Sequence, residues 1–224
     1  MALSDKRILE EKRRGNIIIE PFNRLHLATS SYDVTLGEWF FREQPPNYYL
    51  NHYNIFNKKH TDHVWGIKAL RADTAVKVFK NFANFDWKGI RPSDQIILLE
   101  PNETILAHTN EFIGGRNTIT TMMKARSSLG RVFISVCKCA GWGDVGYTNR
   151  WTMEISNNSR HYAIPLRIGM RIAQIVFFET GEILGSDYTR TGKYQHAQDL
   201  TTVKKTWKPE MMLPRLHHDR EVKK

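Results

Sequence analysis

Between Lys124 and Ser156 the chain reads KARSSLGRVFISVCKCAGWGDVGYTNRWTMEIS. Two arginines stand beside two serines, an aspartate lies among glycines, and a glutamate falls inside an alternating pattern. These are the groups needed to grip a polyphosphate, orient a sugar and activate water. Arg126-Ser127-Ser128-Leu129-Gly130-Arg131 comes first. Serines opening a tight turn leave hydroxyls and backbone N–H groups pointing one way, which suits an anion. Arg126 and Arg131 add charge-assisted, bidentate donors of the geometry phosphate favours. Taken alone, the same residues also describe a capped connecting turn with two surface arginines.

Gly141-Trp142-Gly143-Asp144-Val145-Gly146-Tyr147 reads as a glycine-rich hairpin. Its glycines allow close backbone approach to a ligand. Asp144 is placed to accept from a sugar hydroxyl, and Trp142 or Tyr147 to shield a base. An ordinary β-turn with aspartate at a turn position has the same composition. From Arg150 to Ser156 the alternation puts Trp151, Met153 and Ile155 on one face and Arg150, Thr152, Glu154 and Ser156 on the other. A mid-strand glutamate usually faces solvent. If its face lines a pocket instead, burial and nearby arginines tune it for base work.

These residues need a scaffold. With 224 residues, 41% hydrophobic and 25% charged, the chain is long and apolar enough to bury a core. No run of 18 apolar residues occurs, so a membrane span is not expected. The start, MALSDKRILEEKRRGN, is too charged for a signal peptide, and a cytoplasmic protein is expected. The net charge of +10 is dispersed, ending in a basic tail, and no nucleic-acid-binding motif accompanies it. Cys137 and Cys139, the only cysteines, read as two buried free thiols on one strand.

Ser4 is a candidate cap for a helix over residues 5–14, stopped by Gly15. Ile17–Ile19 and Asp33–Phe41 follow as strands. Residues 44–95 show one helix, near Ala69 to Phe82. IILLE and ETILAHT flank Pro101-Asn102 as a hairpin. Thr118–Lys124, Val132–Val136, Arg150–Ser156 and Arg171–Phe178 complete an all-β pattern of short strands. The expected organisation is one β domain over residues 1–186 and a polar tail over 187–224.

The ordered set of motifs resembles the dCTP deaminases of the trimeric dUTPase superfamily. RSSLGR is present in full, AGWGDVGY resembles the A-G-[WF]-I-D-P-G-F hairpin, and TMEISN resembles the T-L-E-[LF]-S-N strand. LSDKRILEEKRRGNIIIEPF, SYDVTLG, GMRIAQIVFFE and GKYQ match the family's opening, late strand and closing motif, while residues 44–95 match loosely. The resemblance implies a distorted jelly-roll, β-clip fold with a short N-terminal helix and few others. It implies a homotrimer with active sites between subunits, and hydrolysis of dCTP to dUTP and ammonia. Magnesium would travel on the triphosphate, with no zinc. Glu154 would be the general base, assisted by Ser127, Arg131 and the backbone of Ala140. Arg126, Ser127, Ser128 and Arg131, in the turn with Leu129 and Gly130, would hold phosphates. Asp144 would take the 3′-hydroxyl, beside Trp142 and Tyr147, and Thr152 and Met153 would contact the base through backbone. Gln174, Tyr188, Lys193, Tyr194 and, one place late, Gln198 would close over the triphosphate.

Zinc nucleobase deaminases carry H-x-E and P-C-x-x-C. This chain has neither, and His60-Thr61-Asp62-His63 reads as a solvated loop. Three departures from the family pattern stand out. Cys139 replaces a threonine linked to dTTP feedback. Gly143-Asp144-Val145 replaces Ile-Asp-Pro, which predicts a looser hairpin. The spacing after GKY is altered. Asp144-Val145-Gly146-Tyr147 also echoes the D-x-x-Y of dUTPases, and Gly141-Trp142 resembles bifunctional members. A bifunctional dCTP deaminase/dUTPase giving dUMP and pyrophosphate is therefore the alternative to simple deamination. A monofunctional dUTPase and a non-catalytic nucleotide- or nucleic-acid-binding protein rank below them.

Overall fold

A computed structural model describes residues 1–185, 187–195, 197, 199–219 and 221–222. Twelve strands organise these residues. They are β1 (Ile17–Glu20), β2 (Tyr32–Arg42), β3 (Leu70–Arg71), β4 (Asp73–Thr74), β5 (Gln95–Leu99) and β6 (Thr104–Gly115), then β7 (Ile119–Ala125), β8 (Ile134–Ser135), β9 (Trp142–Gly143), β10 (Thr148–Asn157), β11 (Ile164–Arg167) and β12 (Arg171–Glu179). The main sheet runs β8-β10-β6-β2-β12-β7-β9, with β1 added on β6 and β3 on β2. A small sheet runs β11-β5-β4. All these pairings are antiparallel.

The opening helix α1 (Asp5–Arg13) forms as its signals predict. The Ser4 hydroxyl accepts from the Arg7 N–H, Asp5 lies in the first turn, and Lys12 and Arg13 lie in the last. Gly15 leaves the helix at φ +81°, a conformation costly for other residues. The apolar residues of β1, β2, β6, β7, β10 and β12 close on one core that includes Ile17, Tyr32, Val34, Ile105, Ile113, Met153, Ile155, Ile175 and Phe177.

Several expectations fail. IILLE and ETILAHT are not a hairpin: β5 pairs with β4 and β11, whereas β6 pairs with β1, β2 and β10. The chain does turn at Pro101-Asn102, where the Glu103 N–H donates to Glu100 O. Two cores pull the strands apart, because Ile96 packs with Ala75 and Phe79 while Ile97 and Leu99 pack in the main core. Asn157 staples the corner by donating to the carbonyls of Leu99, Glu100 and Tyr162 at 3.1, 3.1 and 2.8 Å.

The helix foreseen over Ala69 to Phe82 is only α3 (Ala75–Val78), while a helix not foreseen, α2 (Lys58–Trp65), precedes it. Phe79 stacks on Phe85 at 3.7 Å instead of continuing a helical stripe. In place of a strand over Val132–Val136, only β8 forms. Val132 and Phe133 extend the turn of α4 (Ser127–Gly130), with Phe133 at φ +67°. Cys137 and Cys139 flank a turn, with Cys137 and Lys138 at φ +55° and +36°, so Cys139 is exposed rather than buried. Burial pushes the Cys137 thiol up to about 11, which keeps it an inert thiol. Among the described residues, no helix is long and apolar enough to cross a membrane.

The C-terminal residues are more than a polar tail. They form α5 (Tyr188–Thr191), α6 (Leu200–Thr206) and two 3-10 turns, Pro209–Met212 and Leu216–His218. Met212 is buried against Phe41 and Leu106, and Trp207 lies 4.8 Å from the His108 ring. This stretch is pinned from beneath by an ionisable group. His108 is fully buried, donates from Nδ1 to Thr109 O at 2.8 Å and accepts the Trp39 N–H at Nε2 (3.3 Å). Burial lowers its pKa to about 4, so the folded protein holds it neutral.

Between pH 6.5 and 4 the unfolded chain binds a proton at this histidine that the native state refuses. Stability is therefore full above 6.5 and falls as pH drops through this window, by at most about 3 kcal/mol. Denaturant melts from pH 7.5 to 4.5 should show this loss, and His108→Gln should flatten it. An unchanged slope in that variant would remove His108 as the cause.

Candidate active site

The polar face of β10 becomes the floor of a cavity. Trp151, Met153 and Ile155 are buried beneath it, as their alternation predicts. The register slips between Arg150 and Thr152, and the Trp151 N–H leaves the ladder to bond Thr109 Oγ1 at 2.9 Å. Such a bulge re-aims the neighbouring side chains. Arg150, Thr152 and Glu154 then line a space of about 370 Å³, which falls within the size range of small-molecule sites.

One wall is the hairpin: Ala140, Trp142, Gly143, Asp144 and Tyr147. Its glycines are tightly packed. A Cβ on Gly141 would strike the Met123 carbonyl, and one on Gly143 would come within 3.0 Å of the Thr121 hydroxyl and the Trp151 ring. Gly143 O also accepts from the hydroxyls of Thr120 and Thr121 at 2.7 and 3.2 Å. The looser hairpin expected from Gly143 is thus replaced by one clamped onto β7. The opposite wall comes from the C-terminal stretch: Tyr188, Tyr194, Trp207, Met211, Met212 and Pro214. Tyr188 joins the two walls, stacking edge-on to Tyr147 at 5.1 Å while its N–H donates to Val145 O.

Glu154 is half-buried on the floor. Its Oε2 is buried with no hydrogen-bond partner among the described residues. Burial raises its pKa above the ordinary carboxylate range, against a smaller lowering by its own backbone amide and by Lys138. A carboxylate of raised proton affinity, open to a cavity, can take a proton from water and give it back. Burial also pushes the Tyr147 and Tyr188 phenols up, so both stay protonated at neutral pH.

Of the residues expected at the site, Ala140, Trp142, Asp144, Tyr147, Thr152, Glu154, Tyr188 and Tyr194 line this cavity. Met153 is on the same strand with its side chain in the core, which leaves only its backbone for contacts. The RSSLGR turn is elsewhere. Arg126 pairs with Asp33 at 3.5 Å and donates to Arg171 O, Leu129 is buried, and Ser127, Ser128, Gly130 and Arg131 are exposed outside the cavity. Gln174 sits opposite Asp33 and Lys124 in the sheet, and Lys193 reaches Asp219 at 2.7 Å; neither lines the cavity. Gln198 lies outside the described residues.

Sequence reasoning missed Leu106, Gly143, Asn149, Arg150 and Trp151 as lining groups, and Trp207, Met211, Met212 and Pro214. Arg150 had its signal, since it shares the face of Glu154. The C-terminal residues had none, because no local pattern says where that stretch folds back. It also missed Gln195, which is buried, accepts the Thr148 N–H at 2.7 Å and donates to Gly146 O.

Comparisons with known proteins agree with this fold. A family model described as dCTP deaminase-like matches residues 2–180. A protein of Methanococcus vannielii named "dCTP deaminase, dUMP-forming" is 32% identical over 182 residues, 80% of this chain and 82% of the relative. Proteins of the same name from Methanocaldococcus jannaschii and Persephonella marina are each 30% identical, covering 89% and 90% of this chain and 94% and 95% of the relatives. The crystal structure of 2'-deoxycytidine 5'-triphosphate deaminase from Agrobacterium tumefaciens superposes with a TM-score of 0.52 at 18% identity, over 79% of this chain and 47% of that one, and supports the fold. With most of its length matched by the family model and by relatives of this identity, the chain belongs to the dCTP deaminase-like family.

Proposed function

We propose that this enzyme hydrolyses dCTP through to dUMP, pyrophosphate and ammonia, consuming two waters. The carrying observation is Glu154, a half-buried carboxyl of raised proton affinity that lines the cavity and has one buried oxygen without a hydrogen-bond partner among the described residues. Glu154 takes a proton from the first water as its oxygen attacks C4 of cytosine. Glu154 delivers that proton to N3, then takes the second proton from the new C4 hydroxyl and passes it to the amine, which leaves as ammonia as the C4 carbonyl forms. Asp144, exposed on the hairpin wall, holds the sugar and orients the second water toward the α-phosphate. The names of the relatives favour dUMP over dUTP as the end product. Release of dUTP after deamination is the second reading, favoured by Glu154 because plain phosphate hydrolysis has no use for a base at that place.

Ser127 and Arg131, exposed outside this chain's own cavity, act at the site of a neighbouring copy in a homotrimer. Magnesium enters on the triphosphate oxygens, hard donors that suit it, with Asp144 the exposed cavity carboxylate available to its hydration shell. Purified protein is incubated with dCTP and magnesium and the products are resolved by anion exchange. dUMP with pyrophosphate is expected, dUTP alone would restrict the enzyme to deamination, and unchanged dCTP would end both readings. Removing magnesium should slow product formation and a zinc-selective chelator should not. Sedimentation of the same sample should give a trimer.

A further inference from the structure

Arg150 is the cation of the cavity that the mechanism above leaves unused. Its guanidinium is clamped between two aromatic rings, 4.7 Å from the centre of Trp207 and 5.1 Å from that of Phe112. No carboxylate pairs with it among the described residues, and its buried Nε has no hydrogen-bond partner there. A half-buried cation with no directly paired carboxylate is costly, even with Glu38 and Glu111 acting on it from a distance. Aromatic faces recover part of that cost and fix the plane of the guanidinium, leaving its N–H edge for an anion.

Its position relative to Glu154 says which part of a ligand it meets. The two side chains stand four residues apart on one face of β10, and at about 3.3 Å per residue that is about 13 Å along the strand, slightly altered by the bulge. A pyrimidine ring is too small to touch both. A molecule with its base at Glu154 and a polyphosphate at its other end spans the gap.

We propose that Arg150 is a substrate-binding residue that takes the polyphosphate end of the nucleotide inside this chain's own cavity, pre-oriented by Trp207 from the C-terminal stretch. The assignment rests on the functional reading above for the placement of the base at Glu154. It predicts that this chain's own share of the discrimination between triphosphate and nucleoside lies at Arg150. It also makes the fold-back of residues 207–214 a condition for phosphate binding, because the ring that holds the guanidinium belongs to that stretch.

The test is calorimetric titration of the full chain in a Glu154→Gln background, so that substrate is not consumed, with magnesium-dCTP and with deoxycytidine. Arg150→Met keeps an unbranched chain between the two rings and removes the charge. It should weaken magnesium-dCTP about 10- to 100-fold, the range of a hydrogen-bonded charge contact, and flatten the salt dependence of binding. Deoxycytidine should change less than about twofold by comparison. Arg150→Lys should recover part of the dCTP affinity. Equal weakening of both ligands would make Arg150 a purely structural clamp, and undiminished dCTP affinity would exclude it from the phosphate site. A parent protein that binds neither ligand would instead sink the functional reading, and this assignment with it.

Discussion

Glu154→Gln should abolish turnover of dCTP while leaving its binding nearly intact. Glutamine keeps the shape and one acceptor of the side chain but cannot receive the proton of water. Loss of a positioned base costs about 10²- to 10⁴-fold in kcat, and KM should move little because the ground-state contacts survive. The pH dependence supplies an independent check. Burial holds the Glu154 carboxyl above its ordinary range, so the acid limb of the wild-type rate should lie at higher pH than the titration of an ordinary glutamate. The same raised affinity means that the native state prefers the neutral carboxyl. Its contribution to stability is full at low pH and is lost as pH rises through the raised value. Glutamine does not ionise, so the variant should melt higher than the parent at pH 7 to 8. A variant with full activity, or one that melts lower and fails to bind dCTP, would contradict the role given to this carboxyl.

Gly37→Ala should be strongly destabilising for so small a substitution. Gly37 lies in β2 directly over the imidazole of His108, and a Cβ there would sit within 3.0 Å of three ring atoms. The ring cannot retreat. It is fully buried, bonded at both nitrogens, and covered by Trp207 on the C-terminal stretch. Overpacking of such a site costs about 1–3 kcal/mol, and displacing Trp207 would add lost packing to that. Scanning calorimetry should show a fall of at least about 4 °C, the lower end of the range expected for 2 kcal/mol in a chain of this size. Because Trp207 also orders Arg150, nucleotide affinity should fall with it. Combining Gly37→Ala with His108→Ala removes the obstacle, so the pair should cost less than the sum of the two changes. Strict additivity would rule out the steric account.

Much of the site was legible because strand chemistry is local. The two-residue period put Trp151, Met153 and Ile155 in the core and therefore turned Arg150, Thr152 and Glu154 to one face. The helix signals of Ser4 and Gly15 act within a few residues and were read correctly. The hairpin between IILLE and ETILAHT was misread for the opposite reason. Its turn is local and real, but the partners of β5 are chosen by two separate cores that no short window reveals. Gly143 was misread because its neighbours, Thr121 and Trp151, come from other strands.

The sequence by itself determined the all-β class, the family and the residues that form the floor of the cavity, since these follow from alternation and from motifs held close along the chain. Only the tertiary structure decided what faces that floor. Residues 207–214 fold back to wall the cavity, because Met212 finds its apolar partners in Phe41 and Leu106 and Trp207 finds its own in His108 and Arg150. The same packing leaves the RSSLGR turn outside, since Leu129 is drawn into the core and Arg126 is drawn to Asp33, away from Glu154. Long-range burial made both choices, and burial depends on which surfaces meet, a property that spacing along a chain does not carry.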